Sequence, residues 1–258
     1  MGMAEPSDFP VTRRALEQLD EWVMALASPL LPLQTLVLPH TSGFLWKFRE
    51  ESDRAVLVGK SVRLASGVRA AFMLADMGYI SECGTILRTV SDFTTEIISI
   101  CEGCKRGTPT TAQKRFLDQY FKPIPKDPDE YDDNQSKESW VARDDLFKAH
   151  CRWATENKGD PQRLKKVLRF LAHMYDKFVH GAYITSMELY DGRTNTFALR
   201  GNVPDYKRTE YKAAVASKLH GALTALFGMA ELAKMPSLAD DIRRVAQELY
   251  KSGELSGG

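Results

Sequence analysis

The stretch SECGTILRTVSDFTTEIISICEGC, from Ser81 to Cys104, contains the most regular pattern in the chain. Its apolar and small residues recur at alternating steps of four and three: Cys83, Leu87, Val90, Thr94, Ile97, Cys101 and Cys104. Residues with this spacing share one face of an α-helix. The stretch therefore predicts a long helix at the centre of a helical bundle.

The sequence on either side has the same helical spacing, and no run alternates strictly over more than a few residues. We predict an all-α fold with a single helical domain over residues 1–251, a core over about 42–233 and extra N- and C-terminal helices. The tail, 252–258, is predicted to be disordered. The predicted helices cover an N-terminal segment ending at Ser28, then about 44–77, 81–104, 111–120, 139–157 and 162–183, and two closing segments. Between them, 123–133 is predicted as a proline-rich acidic loop and 191–202 as a hairpin or an irregular excursion.

The composition excludes several classes of protein. The chain has 258 residues, and its 35 Lys and Arg nearly balance 34 Asp and Glu, so any site for nucleic acid must be local. The longest apolar stretch, Pro29–Leu38, is shorter than the roughly 20 residues that span a bilayer. The N-terminus lacks the basic flank and apolar segment of a secretion signal. We expect a cytoplasmic protein with no membrane partner.

The pair Cys101-Glu-Gly-Cys104 has the spacing of half a zinc knuckle or of a redox pair. Both sulfurs lie on the apolar face of the central helix, and no second pair of cysteines follows. Free cysteine on such a face behaves as a small hydrophobic residue. We therefore expect these thiols, and Cys83, to be buried and reduced, with no metal and no cofactor.

Two lines of polar residues are candidate functional sites. On the central helix Arg88, Asp92 and Glu96 are four residues apart, so Arg88 can pair with Asp92. The later helix carries a longer line at steps of four and three: Arg169, His173, Asp176, His180 and Tyr183. Asp176 can orient His180 as a carboxylate orients a general base, or the two can bind a metal. Because polar groups that face a neighbouring helix need partners, we predict that Arg88 or Asp92 lies within hydrogen-bond reach of the Asp176–His180 turn.

These residues carry a resemblance to a known superfamily. The run YDKFVHGAY (175–183), the run MELYDG (187–192) and the earlier ILRTVSD (86–92) resemble an uncharacterised bacterial branch of the HEPN-like helical bundles. The resemblance implies a dimeric bundle of four or five helices. It also implies RNA processing, since many HEPN proteins are metal-independent RNases of toxin–antitoxin and other defence systems.

The HEPN motif pairs an arginine with a histidine four to six residues later, at a dimer cleft. His180 matches the histidine, whereas His173, Met174 and Tyr175 stand where the arginine is expected. The resemblance therefore implies an endoribonuclease site with His180 as base or acid, Arg88 or Arg169 supplying the missing charge, and Asp176 beside them. The predicted substrate-binding residues are Arg169, His173, Lys177, Tyr183 and Asp92.

Two alternatives stay open at this stage. The chain can be a non-catalytic dimerisation or scaffold module that presents helices to a protein partner. It can also be a metal-dependent hydrolase built on His173, Asp176 and His180, although no further acidic motif supports that site. A homodimer is expected, because the apolar stripes leave Trp22, Phe44 and Trp46 as exposed candidates and because the family that the chain resembles usually dimerises.

Overall fold

The computed structural model describes residues 8–37, 44–121, 143–156 and 160–256, and in these residues the predicted all-α class is confirmed. The helices are α1 (Pro10–Ala27), α2 (Asp53–Asp76), α3 (Ile80–Arg106), α4 (Thr111–Tyr120), α5 (Arg143–Glu156), α6 (Pro161–Val179), α7 (Tyr183–Met187), α8 (Asp205–Leu232) and α9 (Pro236–Lys251). Two short antiparallel hairpins complete the described fold, β1 (Gln34–Val37) with β2 (Phe44–Lys47) and β3 (Tyr190–Asp191) with β4 (Thr196–Phe197).

Helix α3 is the central helix that the sequence predicts, and it packs against α2, α5, α6 and α8. The side chains of Cys83, Leu87, Val90 and Ile97 are completely buried. Cys101 is also buried, whereas Cys104 at the end of the stripe is only half-buried. The Cys104 thiol donates a hydrogen bond to Asp53 Oδ2 over 3.2 Å.

The hydrophobic core extends beyond the predicted bounds of about 42–233 and includes side chains of the N- and C-terminal helices. Leu19 of α1 and Leu249 of α9 are completely buried in the same hydrophobic cluster as Leu87 of α3. Trp22, predicted to be exposed, is 3% exposed, and its indole Nε1 donates to Asp241 Oδ2 over 2.8 Å. The amphipathic faces of α1 and α9 therefore close the bundle.

The prediction that residues 252–258 are disordered is wrong for 252–256, which form turns after α9. The carboxylate of Glu254 accepts hydrogen bonds from the backbone N–H groups of Val11 and Thr12 over 2.9 and 2.8 Å. The first N–H groups of a helix have no partner within the helix, and its N-terminus attracts negative charge. Glu254 satisfies both requirements for α1, which ties the two ends of the chain together.

The segment after Phe44 is only partly helical. Phe44–Lys47 pairs with Gln34–Val37 as a strand, and α2 begins at Asp53, where the Ser52 hydroxyl accepts from the N–H of Ala55. Aromatic residues in Phe44–Lys47 favour extended structure over a helix start, which the apolar spacing alone did not reveal. The 191–202 excursion contains a hairpin, as one of the two predictions had it. The predicted loop at 123–133 lies outside the described residues.

Helix α6 begins where it is predicted and ends earlier. Asp160 caps its first N–H groups, and Pro161 occupies its first position. It ends at Val179 because Gly181 adopts a positive φ of 56°. Tyr183 therefore begins the separate short helix α7 and does not continue the polar line of α6.

One described helix, α8, is long and apolar enough to cross a membrane by length and composition alone. More than half of that apolar window is buried inside the bundle. Its completely buried side chains include Leu219, Leu223 and Leu226, which belong to the common core. Burial in the core accounts for the apolar character of this helix.

Candidate functional site

A polar layer with Arg88 buried at its centre joins α3 to α6. The guanidinium of Arg88, a residue only 5% exposed, donates from Nε to Asp176 Oδ1 over 2.6 Å, and its Nη1 is ion-paired with Asp92. Arg143, at the start of α5, donates to the other oxygen of Asp176 over 3.1 Å. The prediction that Arg88 lies within hydrogen-bond reach of the Asp176–His180 turn is confirmed.

The close approach of α3 and α6 depends on a glycine one turn before Arg88. A Cβ built on Gly84 would lie 2.5 Å from the ring of Phe178, far inside van der Waals contact. Phe178 also packs edge-to-face against Tyr211 of α8, with ring centroids 6.1 Å apart. Gly84 thus lets Phe178 fill the space between three helices, which brings Asp176 onto Arg88.

His180 does not join this layer. It forms the C-cap of α6, where its backbone N–H donates to the carbonyl of Asp176 over 3.1 Å, and its side chain is exposed. Among the described residues its imidazole has no hydrogen bond or ion pair. The structure brings Arg88 and Asp176 together and leaves the imidazole of His180 in solvent, so one chain does not place the three predicted catalytic side chains in mutual contact.

The predicted substrate-binding residues separate into two groups. Arg169 is ion-paired with Asp144 of α5, and Asp92 belongs to the polar layer around Arg88. His173 and Lys177 lie on the outer side of α6, and Tyr183, at the start of α7, is 79% exposed. The two groups differ in their partners: among the described residues, the first group is held in ion pairs, whereas the side chains of the second group have no ion-pair partner.

The outward face of α6 carries a stripe that the sequence analysis identified only in part. We call it the outer stripe: Arg163, Lys166, Phe170, His173, Lys177 and His180, at alternating steps of three and four. All are exposed except Lys177, which is half-buried. Within the described residues Arg163, Lys166 and Lys177 have no ion-pair partner, because Asp176 faces Arg88 and Asp144 binds Arg169. The same spacing rule would have found Arg163, Lys166 and Phe170.

A groove of about 350 Å³ runs beside the outer stripe, between α6, α7 and α8. Phe170, Phe178 and Ile184 contribute to its apolar walls, and His173 and Lys177 lie on its edge. Ile184 and Phe170 are 58% and 67% exposed. The cationic stripe therefore lies next to exposed aromatic and aliphatic surface.

Comparison of the chain with family models, curated proteins and solved structures gives no match. The HEPN-like assignment rests on the sequence motifs alone. Among the described residues, no group of three His, Cys, Asp or Glu side chains is arranged to hold a metal ion. The alternative metal site on His173, Asp176 and His180 has no support there, because both carboxylate oxygens of Asp176 accept from arginines.

Proposed function

We propose that the protein binds single-stranded RNA along the outer stripe of α6. The observation that carries this proposal is a row of cations that have no acidic partner among the described residues, together with an exposed phenylalanine in the same row. Single-stranded nucleic acid is bound by cations that follow its backbone and by aromatic side chains on which bases stack. Phe170 and Tyr183, 67% and 79% exposed, supply the stacking surfaces. The resemblance to HEPN-like proteins supports the same ligand and a role in RNA processing for defence or toxin–antitoxin systems.

Cleavage requires more than this surface provides. A metal-independent RNase needs a base for the 2′-hydroxyl and a cation for the negative charge that develops on the phosphoryl oxygens. His180 is available as base or acid, but Arg88 is buried and held by two carboxylates. In this proposal the cation for cleavage comes from a second copy of the chain, and the single chain binds RNA without cutting it.

A non-catalytic dimerisation or scaffold module is the second candidate function. It is favoured by apolar side chains exposed beyond the groove, among which Leu199 is 75% and Tyr206 is 66% exposed. Exposed apolar side chains are typical of protein interfaces where they form a contiguous patch. Burial of these side chains by a second copy of the chain or by a protein partner would support this candidate.

Fluorescence anisotropy with a labelled 20-nucleotide oligo-U tests the proposal. The double variant Lys166→Gln, Lys177→Gln removes two of the stripe's cations, and at 0.1 M salt two lost phosphate contacts correspond to roughly 25-fold weaker binding. The control variant Lys114→Gln, Lys251→Gln removes the same charge from exposed positions on α4 and α9 and should bind as the wild type does. Equal losses in the two variants, or wild-type protein that does not bind, would reject the proposal.

Phe170→Leu separates stacking from charge. It should weaken binding by about 1–3 kcal/mol through the loss of a stacked base, with no change in net charge. Any RNA cleavage should disappear in His180→Ala, which removes an exposed side chain and leaves the fold intact. Cleavage that persists in His180→Ala would place the chemistry elsewhere.

A further inference from the structure

A second cavity lies on the other side of α6, behind the polar layer. Its volume is about 160 Å³, and residues of α3, α5, α6 and α8 line it. The polar side chains in its wall include Arg88, Asp92, His150, Ser217 and Lys218. Burial lowers the pKa of His150 to about 4, so this imidazole is neutral at pH 7.

Lys218 is the unusual member of this wall. Its Nζ lies 4.7 Å from the centroid of the Tyr175 ring, and among the described residues it has no carboxylate partner. Other largely buried lysines do have one: Lys60 is 2.8 Å from Glu96, and Lys212 is 3.2 Å from Asp76. Burial, and secondarily the charge of Arg88, lowers the pKa of the Lys218 ammonium to about 8, so it is mostly charged at pH 7.

The charges that the described residues place around the cavity leave a positive excess. Asp92 is ion-paired with Arg88 and lies 4.0 Å from Arg143, and Asp176 accepts from the same two arginines. Two carboxylates are thus balanced by two arginines, and the charge of Lys218 remains. A largely buried ammonium with no carboxylate in ion-pair contact is costly even with the charge of Asp92 nearby, and its hydrogens need acceptors.

The cavity is small. Its volume corresponds to about five water molecules at roughly 30 Å³ each and is below the roughly 300 Å³ of a pocket for a drug-sized ligand. A ligand of a few heavy atoms with one net negative charge matches both the size and the charge.

We propose that this cavity binds a small oxyanion, a carboxylate or inorganic phosphate, through the ammonium of Lys218. The oxyanion supplies the acceptors that the described residues do not give to Nζ, and it cancels the remaining positive charge. The face of the Tyr175 ring positions the ammonium of Lys218 through a cation–π interaction. This site is independent of the RNA-binding surface, which lies on the opposite side of α6.

Thermal unfolding at pH 7 and constant ionic strength tests the proposal, with chloride replaced stepwise by acetate in one series and by phosphate in another. We expect a saturable rise in melting temperature with at least one of the two anions, because a ligand that binds only the folded state stabilises it. A saturable rise with acetate alone would identify a carboxylate site, and a rise with phosphate alone would identify a phosphate site. A rise with both anions would show that the site recognises the oxyanion chemistry that they share. Lys218→Met should lose the saturable rise, and Lys114→Met should keep it.

A measurement on the wild-type chain makes the result independent of any variant's folding. Lysine acetylation of the native protein, followed by mass spectrometry, should slow at Lys218 when the stabilising anion is added and should not slow at Lys114. The proposal is overturned if neither anion gives a saturable shift, if Lys218→Met responds as the wild type does, or if acetylation of Lys218 is insensitive to the anion.

Discussion

Replacing Asp176 by alanine removes the carboxylate that holds the guanidinium of Arg88. The hydrogen bond from Arg88 Nε to Asp176 is 2.6 Å long, and the Arg88 side chain is 6% exposed. A hydrogen bond to a charged group contributes about 1.5–3 kcal/mol. The second contact, from Arg143, is partly exposed and contributes at most about 1 kcal/mol. Asp92 continues to pair with Arg88, so we expect Asp176→Ala to lower the free energy of unfolding by about 2–4 kcal/mol.

Urea unfolding followed by far-UV circular dichroism measures this change as a lower midpoint at unchanged slope. Arg88→Met should lower the free energy of unfolding by less than Asp176→Ala does. The carboxylates of Asp92 and Asp176, which lose their partner in this variant, are partly exposed and stay hydrated. In Asp176→Ala the buried guanidinium of Arg88 has lost one of its two carboxylate partners, and adding Arg88→Met removes that guanidinium. The double variant should therefore be less destabilised than the sum of the two single variants, by about 1–3 kcal/mol. Strict additivity, or a cost below about 0.5 kcal/mol for Asp176→Ala, would refute the buried ion pair.

Three further predictions concern Gly84, Lys218 and the buried cysteines, and they are tested by the same unfolding assay or by thiol labelling. Gly84→Ala should destabilise by about 1–3 kcal/mol through overpacking, whereas Gly228→Ala, whose Cβ would have only ordinary contacts, should be neutral or mildly stabilising; equal effects would contradict the close approach of α3 and α6. The pKa of Lys218 is about 8 in the folded protein, against an ordinary value of 10.5. Below pH 8 the buried ammonium lowers the free energy of unfolding by its full amount, and this destabilisation disappears as the pH rises to 10.5. Lys218→Met should therefore stabilise by about 1–3 kcal/mol at pH 7, and in the wild type alone stability should rise between pH 8 and 10.5 because of this group; a destabilised variant would show that the ammonium is well partnered. Cys83 and Cys101 are buried, and burial raises the pKa of both thiols, so a disulfide reagent should label them slowly in native protein and rapidly in urea; fast native labelling would contradict their burial.

The fold was predictable where one physical signal dominates. The spacing of apolar residues placed α3 because its face from Cys83 to Cys101 is buried on neighbouring helices. Spacing could not show that the start of the 44–77 segment forms a hairpin strand, because four residues carry no helical period. The order of the tail could not be predicted either. It depends on Glu254, a single polar side chain whose partner, the N-terminus of α1, is distant in sequence.

The candidate site was predictable as a set of residue types and not as an arrangement. The polar line on α6 correctly indicated a partner for Asp176, and the partner is Arg88. Spacing within one helix cannot tell which polar side chains turn inward, since that depends on neighbouring helices. Here Asp176 pairs with Arg88 of α3 and Arg169 pairs with Asp144 of α5, so the described charged residues of α6 that have no ion-pair partner are all cationic. The outer stripe emerges only after these pairings are known.

The salt dependence of RNA affinity tests the central claim most directly, because it counts phosphate contacts. Oligo-U binding is measured from 50 to 300 mM salt for the wild type, for Lys166→Gln, Lys177→Gln and for the control Lys114→Gln, Lys251→Gln. If the outer stripe binds the RNA backbone, the slope of log K against log salt should be shallower by about 1.4 in the stripe variant, at about 0.7 for each lost contact, and unchanged in the control. Identical slopes for all three proteins would contradict the assignment of RNA binding to α6.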